Sequence, residues 1–331
     1  MSNKMSDAFS SQADTELADE APNGALGLAL QKAQHFTDAA RSNSTQRVYG
    51  EAAQKWSEWA SVHRVTPFAP TPDAIAAYLA ALAREGKSLS SINLALSAIQ
   101  RDCRTRGTVV DRKHPLIADT LRGISRRTAK AVDRAEALDL PTLKRLITFL
   151  DGDDLRSLRD NALILIGFFG ALRRSEIVSL ELDGRSTFTI TDRGLLLKLS
   201  ATKASLRTEE VAIPRRNDDL CPVAALERYL AASGITSGPA FRAISKSGRI
   251  LNRGLDATSV RHILAKRLAA VGIEPTKYSP HSLRAGFITA AENAHVPEHI
   301  IQRTSRHKSV EVLRSYIRVA DAFEQNASRY F

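Results

Sequence analysis

The sequence predicts a mainly α-helical chain with one small antiparallel β-sheet, arranged as a helical front domain followed by a second, mixed domain. Three observations carry this. The chain has 331 residues, which at roughly 100–200 residues per domain makes two domains. Apolar residues recur at the 3–4 spacing of helices through most of it. Between Ser186 and Ile213 the period shortens to two, with polar breaks, which is the pattern of strands. Hydrophobic residues make up 43% and charged residues 25%, a globular balance that excludes a wholly disordered chain.

Residues 1–27 form an acidic head, rich in Ser, Asn and Ala, and read as disordered. The front domain is assigned to 28–130. Thr45 is placed to cap a helix whose Val48, Ala52, Trp56 and Trp59 make an apolar stripe. Thr71-Pro72-Asp73 supplies an N-cap, a proline at the first helical position and an early acid for a second helix, with Ile75, Tyr78, Leu79 and Leu82 as its stripe. Ser88 or Ser90 starts a third, running through Ile92 and Ile99 to Arg101, Arg104 and Arg106. A fourth spans about Pro115–Arg127. Residues 131–138 read as a linker, since Thr128–Leu138 has no apolar stripe. The second domain is then 139–331. It opens with helices over Pro141–Leu150, Leu155–Gly170 and Arg173–Leu180. Three strands follow at Ser186–Ile190, Gly194–Leu199 and Glu209–Ile213. Helices return at Pro222–Ala232, Thr258–Val271, Ser282–Ala294, Pro297–Thr304 and Val310–Val319.

Charge narrows the partners. The chain carries +11. Residues 1–27 hold one base against five acids, while 28–130 hold 16 Lys/Arg against 8 Asp/Glu, leaving +7 on the rest. Two basic modules behind an acidic head make a polyanion the leading partner. The longest apolar stretch, Ala162–Leu172, is too short for a membrane helix, which needs about 20 residues. Met1–Gly24 has no apolar core and is not a secretory signal. Cys103 and Cys221 form neither a CxxC unit nor a disulfide framework, which fits a reducing compartment.

Four segments can carry chemistry: GALRRSEIVSL (170–180), LSATKASLRTEEVAIP (199–214), SPHSLRAGF (279–287) and TSRHKSVEVLRSYIR (304–318). Arg173 and Glu176 share a helix face at i, i+3. They read either as a surface ion pair of small worth or as an arginine presented at a helix start. His281 and Arg284 share a face behind Ser279-Pro280, setting a proton-transfer group and a cation beside a positive helix end, a combination that suits phosphate. Lys203 falls in a β-turn, and Tyr316 stands nine residues after His307. Taken singly, each is as compatible with ordinary surface polarity or, for Tyr316, with a core position.

Taken in order, L-R-x-S-E, a hairpin lysine, H-x-L-R, and a histidine nine residues before a tyrosine resemble the tyrosine recombinase (phage integrase) family over about residues 40–331. Within it the chain is most similar to the Cre-type simple recombinases. The resemblance implies an N-terminal helical core-binding (SAM-like) domain and a C-terminal tyrosine-recombinase catalytic domain. It implies site-specific DNA strand cleavage and rejoining with no cofactor and no metal. Arg173 and Arg284 match the phosphate-binding arginines, Glu176 the carboxylate that steadies the site, Lys203 the hairpin lysine, and His281 the histidine of the H-x-x-R motif. His307 fills a position of histidine or tryptophan, and Tyr316 is the nucleophile. Two departures stand out: Ser305-Arg306 occupies the place where Leu-Gly commonly precedes the second histidine, and Arg173 is followed by a second arginine, Arg174.

The expected partner is double-stranded DNA with inverted-repeat half-sites, gripped by a dimer per site and a tetramer in the synapse, on cytoplasmic DNA of bacterial or phage origin. Lys87, Arg101 and Arg104 in front, and Lys246, Ser259 and Arg261 behind, are the DNA-contact candidates. The tail 321–331 ends in Tyr330-Phe331, an aromatic pair for a neighbouring protomer to bury. His295 and His299 are spaced for zinc, but Pro297 interrupts them and no third ligand is evident. The competing classes are a catalytically silent DNA-binding protein on the same scaffold, a type IB topoisomerase or telomere resolvase, and more distantly a basic RNA-binding protein.

Overall fold

The computed structural model describes residues 27–29, 31–32, 43–127, 135–149, 152–200 and 208–307. Lys203, Tyr316, the expected helix over 310–319, the acidic head to residue 26 and the 321–331 tail lie outside the described residues. The chain divides into two compact units, Met1–Val132 and Asp133–Phe331.

The described part of the first unit has helices α1 (Asn43–Val62), α2 (Pro72–Arg84), α3 (Leu89–Thr105) and α4 (Pro115–Arg127). Thr71 caps α2 by accepting from the backbone N–H of Ala74 at 3.3 Å, with Pro72 at a position that needs no donor. Ser88, not Ser90, caps α3. Their apolar stripes meet around Trp56, Ile75, Leu79, Ile92, Leu96, Ile99 and Ile117. Trp56 stacks on Trp59, meets Tyr78 edge-on, and satisfies its indole N–H on the Pro67 carbonyl at 2.8 Å. One expectation fails at the front edge: α1 begins at Asn43, so Thr45 is inside it, and Val48 is exposed rather than part of the core.

The second unit is built around α6 (Leu155–Phe169), buried from Ser157 through Phe168, with α5 (Leu140–Phe149) preceding it. Burying α6 on every side includes burying charge. Asp160 therefore sits between two guanidiniums: Oδ1 accepts from Arg159 Nε and Nη2 at 2.9 and 2.7 Å, and Oδ2 from Arg267 Nε at 2.8 Å. Arg267 belongs to α9 (Ala257–Ala270), so this cluster ties two helices through the core. After the short α7 (Arg174–Val178) come β1 (Leu180–Glu181), β2 (Ser186–Thr191), β3 (Gly194–Leu199) and β4 (Glu209–Pro214). They pair in sequence order. The register sets Phe188 opposite Leu197 and Leu197 opposite Val211, so β3 buries Leu195, Leu197 and Leu199 and exposes Lys198. α8 (Pro222–Ser233), a hairpin of β5 (Arg242–Ile244) and β6 (Ile250–Gly254), α9, a single 3-10 turn (Pro275–Lys277), α10 (His281–Asn293) and α11 (Glu298–Ser305) follow among the described residues.

The sheet departs from the three antiparallel strands expected. A fourth, β1, joins parallel to β2, and β5 and β6 make a second sheet. β1 is two residues long and β5 three, too short to show a period of two. The expected linker also differs at its end: Leu138 is fully buried in the second core, and its N–H bonds the Ser282 carbonyl at 3.0 Å. This approach requires Gly286 on α10, where a Cβ would stand 2.0 Å from the Leu138 oxygen. Among the described residues no helix is long and apolar enough to cross a membrane.

Candidate active site

The site forms where α6 ends. Gly170 and Ala171 turn the chain out of the helix, Ala171 in the left-handed region at φ 45°, at a cost of roughly 1–2 kcal/mol for a residue with a Cβ. The turn leaves their carbonyls, at the negative end of the helix dipole, facing a cluster of cations. The Ala171 oxygen accepts from Arg284 Nη1 at 2.7 Å, and the Gly170 oxygen from Arg306 Nη1 at 3.3 Å.

Arg173 follows at the N-terminal edge of α7. Glu176, one turn on, accepts from the Arg173 backbone N–H at 2.9 Å and from its Nη1 at 2.6 Å. The pair is not a surface ion pair: the Glu176 side chain is 4% exposed, while that of Arg173 is 38% exposed. A buried carboxylate needs its lone pairs satisfied, and a second guanidinium does this, Arg306 Nη2 standing 2.5 Å from Glu176 Oε2. Arg306 Nε is 3.0 Å from Glu209 Oε2 at the start of β4, close enough for an ion pair but too far off line for a hydrogen bond.

The H-x-x-R pair occupies the first turn of α10. Arg284 is 1% exposed. Its Nη2 lies 3.2 Å from Nε2 of His307, whose Nδ1 lies 2.8 Å from the Ser305 hydroxyl. Partial burial, then the guanidiniums of Arg284 and Arg173, move the His281 pKa down. Burial and the same two cations, with His281 and Arg306 adding, push His307 down to about 4. Both imidazoles are therefore neutral at neutral pH.

Arg173, Glu176, His281, Arg284 and His307, read from three separate segments, are thus gathered into one cluster. Lys203 and Tyr316 lie outside the described residues. Lys203 belongs to the segment joining β3 to β4, and Tyr316 follows His307 by nine positions. The DNA-contact candidates are dispersed. Arg101 lies 5.8 Å from the Tyr49 ring and, with Arg104, borders a groove on α3. Lys87 pairs loosely with Glu85 at 3.8 Å. Lys246 is exposed in the β5–β6 turn, its carbonyl bonded by Arg156, and Ser259 and Arg261 open α9. The residues missed as site members are Ser305, Arg306 and Glu209. The signal for the first two was their substitution for Leu-Gly. Among the described residues no cluster of three or more potential metal ligands occurs.

Comparison with known proteins bears on the family and the fold. The model of the phage integrase family matches residues 136–322, and that of its N-terminal SAM-like domain matches 34–101. An integrase/recombinase XerD homolog from Selenomonas ruminantium is 29% identical over 303 residues, covering 89% of this chain and 87% of that one. The fold is similar to the Tn1549 transposon integrase in complex with transposon right-end DNA (14% identity, TM-score 0.60, 90% and 96% of the two chains). It is also similar to a lambda integrase dimer bound to a core site (18% identity, TM-score 0.58, 89% and 95%). With the catalytic-domain model spanning more than half its length and the front-domain model matching in the expected order, this chain belongs to the phage integrase family and is a site-specific DNA recombinase of the tyrosine type.

Proposed function

We propose that the chain cuts and rejoins DNA at inverted-repeat sites through a covalent 3′-phosphotyrosyl intermediate on Tyr316. The observation that carries this reading is the gathering of Arg173 and Arg284 about His281 and His307, with Arg173 held by the buried carboxylate of Glu176. The two guanidiniums bind the non-bridging oxygens of one phosphodiester and stabilise the charge that grows there in the transition state. The Tyr316 hydroxyl attacks phosphorus and passes its proton to His281. The leaving 5′-oxygen takes a proton from Lys203. The new phosphotyrosyl ester keeps the bond energy of the old linkage, and a 5′-hydroxyl from the partner duplex reverses the step. Nothing in the scheme calls on a metal or nucleotide.

His307 holds Arg284 in place before DNA arrives. A guanidinium only donates, so the facing Nε2 accepts, and the imidazole proton sits on Nδ1, pointed at Ser305. The basic front domain, 28–130, joins the catalytic domain through a linker that ends before Leu138, and the two grip the duplex. Lys87, Arg101, Arg104, Lys246, Ser259 and Arg261 supply phosphate and groove contacts. One dimer holds each site and a tetramer pairs two, acting on cytoplasmic DNA. The DNA named in the descriptions of the transposon and lambda integrase structures supports this choice of partner.

The test incubates wild-type and Tyr316→Phe protein with DNA from the flanks of the gene in EDTA and looks for an SDS-resistant protein–DNA adduct. An adduct from wild type alone is expected. Tight, specific binding without an adduct would replace this reading with a silent DNA-binding protein. Relaxation of plasmids lacking any specific site would replace it with a topoisomerase.

A further inference from the structure

Arg306 is the least expected side chain of the site. It ends α11 in the left-handed conformation, φ 58° and ψ 39°, where a residue without a Cβ is at ease and an arginine is strained. Its side chain is 6% exposed, so this strain does not serve to place a cation in solvent. Instead the guanidinium spans three elements. Nη2 contacts Glu176 Oε2 at 2.5 Å, Nε stands 3.0 Å from Glu209 Oε2, and Nη1 reaches the Gly170 carbonyl at 3.3 Å. The opposite oxygen, Oε1, accepts from the Arg173 guanidinium, and Oε2 also accepts from the Arg173 backbone N–H. Burial pulls the Arg306 pKa down, and the Glu176 and Glu209 carboxylates push against that.

We infer that Arg306 is a positioning residue. By occupying one oxygen of Glu176 it leaves the other aimed at Arg173, and by pairing with Glu209 it fastens the start of β4, where the Lys203 segment re-enters the sheet, to the turn that presents His307. The inference rests on the recombinase reading for what Arg173, Lys203 and His307 then do. A glycine in this position gives the same turn without strain but leaves Glu176 Oε2 with the Arg173 backbone N–H as its one remaining donor of the two described. The arginine exchanges backbone ease for a fixed carboxylate. Without Arg306, Glu176 would keep only its two ties to Arg173 itself, and the Arg173 fork would be held less rigidly.

Arg306→Gly is the test, since glycine suits this φ. In protein carrying isotope-labelled arginine, without DNA, the guanidinium resonances of Arg173 should report faster rotation than in wild type. On flank DNA, Arg306→Gly should bind within about twofold of wild type and form the SDS-resistant adduct roughly 10- to 100-fold more slowly at saturating DNA. Arg306→Lys, which keeps the charge but not the fork, should recover part of that loss. Wild-type adduct rates in folded Arg306→Gly, or an Arg173 fork as restricted as in wild type, would overturn the assignment. Should Arg306→Gly not fold, Glu209→Gln removes one tie at the exposed edge, and an unchanged adduct rate there would overturn the fastening of β4. If wild type itself forms no adduct, the recombinase reading fails, while the arginine resonances still decide whether Arg306 holds Arg173.

Discussion

Nη2 of Arg284 lies 3.2 Å from Nε2 of His307, so a fully buried cation is met on this side by an imidazole lone pair. The arrangement requires His307 to be neutral and to carry its proton on Nδ1. It connects three facts that are otherwise separate: the depressed pKa of His307, the serine two residues before it, and the orientation of the arginine fork. Ala171 fixes the other half of that fork.

Ser305 is the residue on which this tautomer depends. Ser305→Ala removes the acceptor on Nδ1 and lets the proton move to Nε2, where it would face the guanidinium. Loss of one buried hydrogen bond of this kind costs about 1 kcal/mol of stability. Adduct formation is expected to fall by about 5- to 30-fold, the weight of roughly 1–2 kcal/mol in a barrier. Imidazole nitrogen shifts report the tautomer directly, and an unchanged Nδ1–H signal in the variant would refute the dependence.

The two histidines should also make stability fall with acidity. His307 titrates near 6.5 when unfolded and at about 4 when folded, so between those values the unfolded chain binds the extra proton. Stability then rises with pH across that window and is fully present above about 6.5. Lowering the pH from 6.5 to 4 should cost on the order of 2 kcal/mol for His307. His281 contributes in the same direction. Urea titrations at stepped pH measure this, and His307→Gln should flatten the slope. A slope equal to wild type in that variant would place the titration elsewhere.

Asp160 should be among the most costly polar residues to remove. It neutralises Arg159 and Arg267 inside the core. Asp160→Asn leaves two buried guanidiniums without a counter-charge, with an expected loss of about 3–5 kcal/mol. Arg122→Ala, which breaks the exposed pair with Asp119, should cost under about 1 kcal/mol. Chemical denaturation of the two variants side by side gives the comparison. Equal costs would mean that the core cluster is not held as described.

Gly286→Ala should destabilise although alanine is the better helix former by about 1 kcal/mol. The new methyl would meet the Leu138 carbonyl oxygen at 2.0 Å and the Phe168 ring at 2.8 Å. A net loss of about 1–3 kcal/mol is expected from the overpacking, with slower adduct formation, because the same helix carries Arg284. A variant as stable as wild type would show that the 136–138 segment can move away freely.

The helical elements were legible because caps and stripes coincide: Thr71-Pro72 before Ile75 and Leu79, and Ser88 before Ile92, mark starts that the fold uses. Of the site, Arg173 with Glu176 and His281 with Arg284 could be read because each pair repeats at helical spacing. Arg306 could not be assigned its partners. Its contact with Glu176 spans 130 positions, and a left-handed arginine leaves no periodic trace. β1 and β5 were invisible for a different reason, since strands of two and three residues show no alternation. Leu138 was read as linker because one apolar residue makes no stripe, yet Gly286 opens the space that takes its backbone.

The last turn of α6 has a consequence for how such a chain can change over time. Arg284 and Arg306 are both fastened to carbonyls of Gly170 and Ala171, at the end of the most deeply buried helix in the unit. Chemistry anchored to the core is insulated from the exposed side chains proposed above to contact DNA. Lys87, Arg104, Lys246 and Arg261 can be exchanged for others without touching any of those anchors. On the proposed assignment of DNA contacts, a lineage of this chain can be retargeted to new sequences by surface substitution while its core-anchored site is inherited intact.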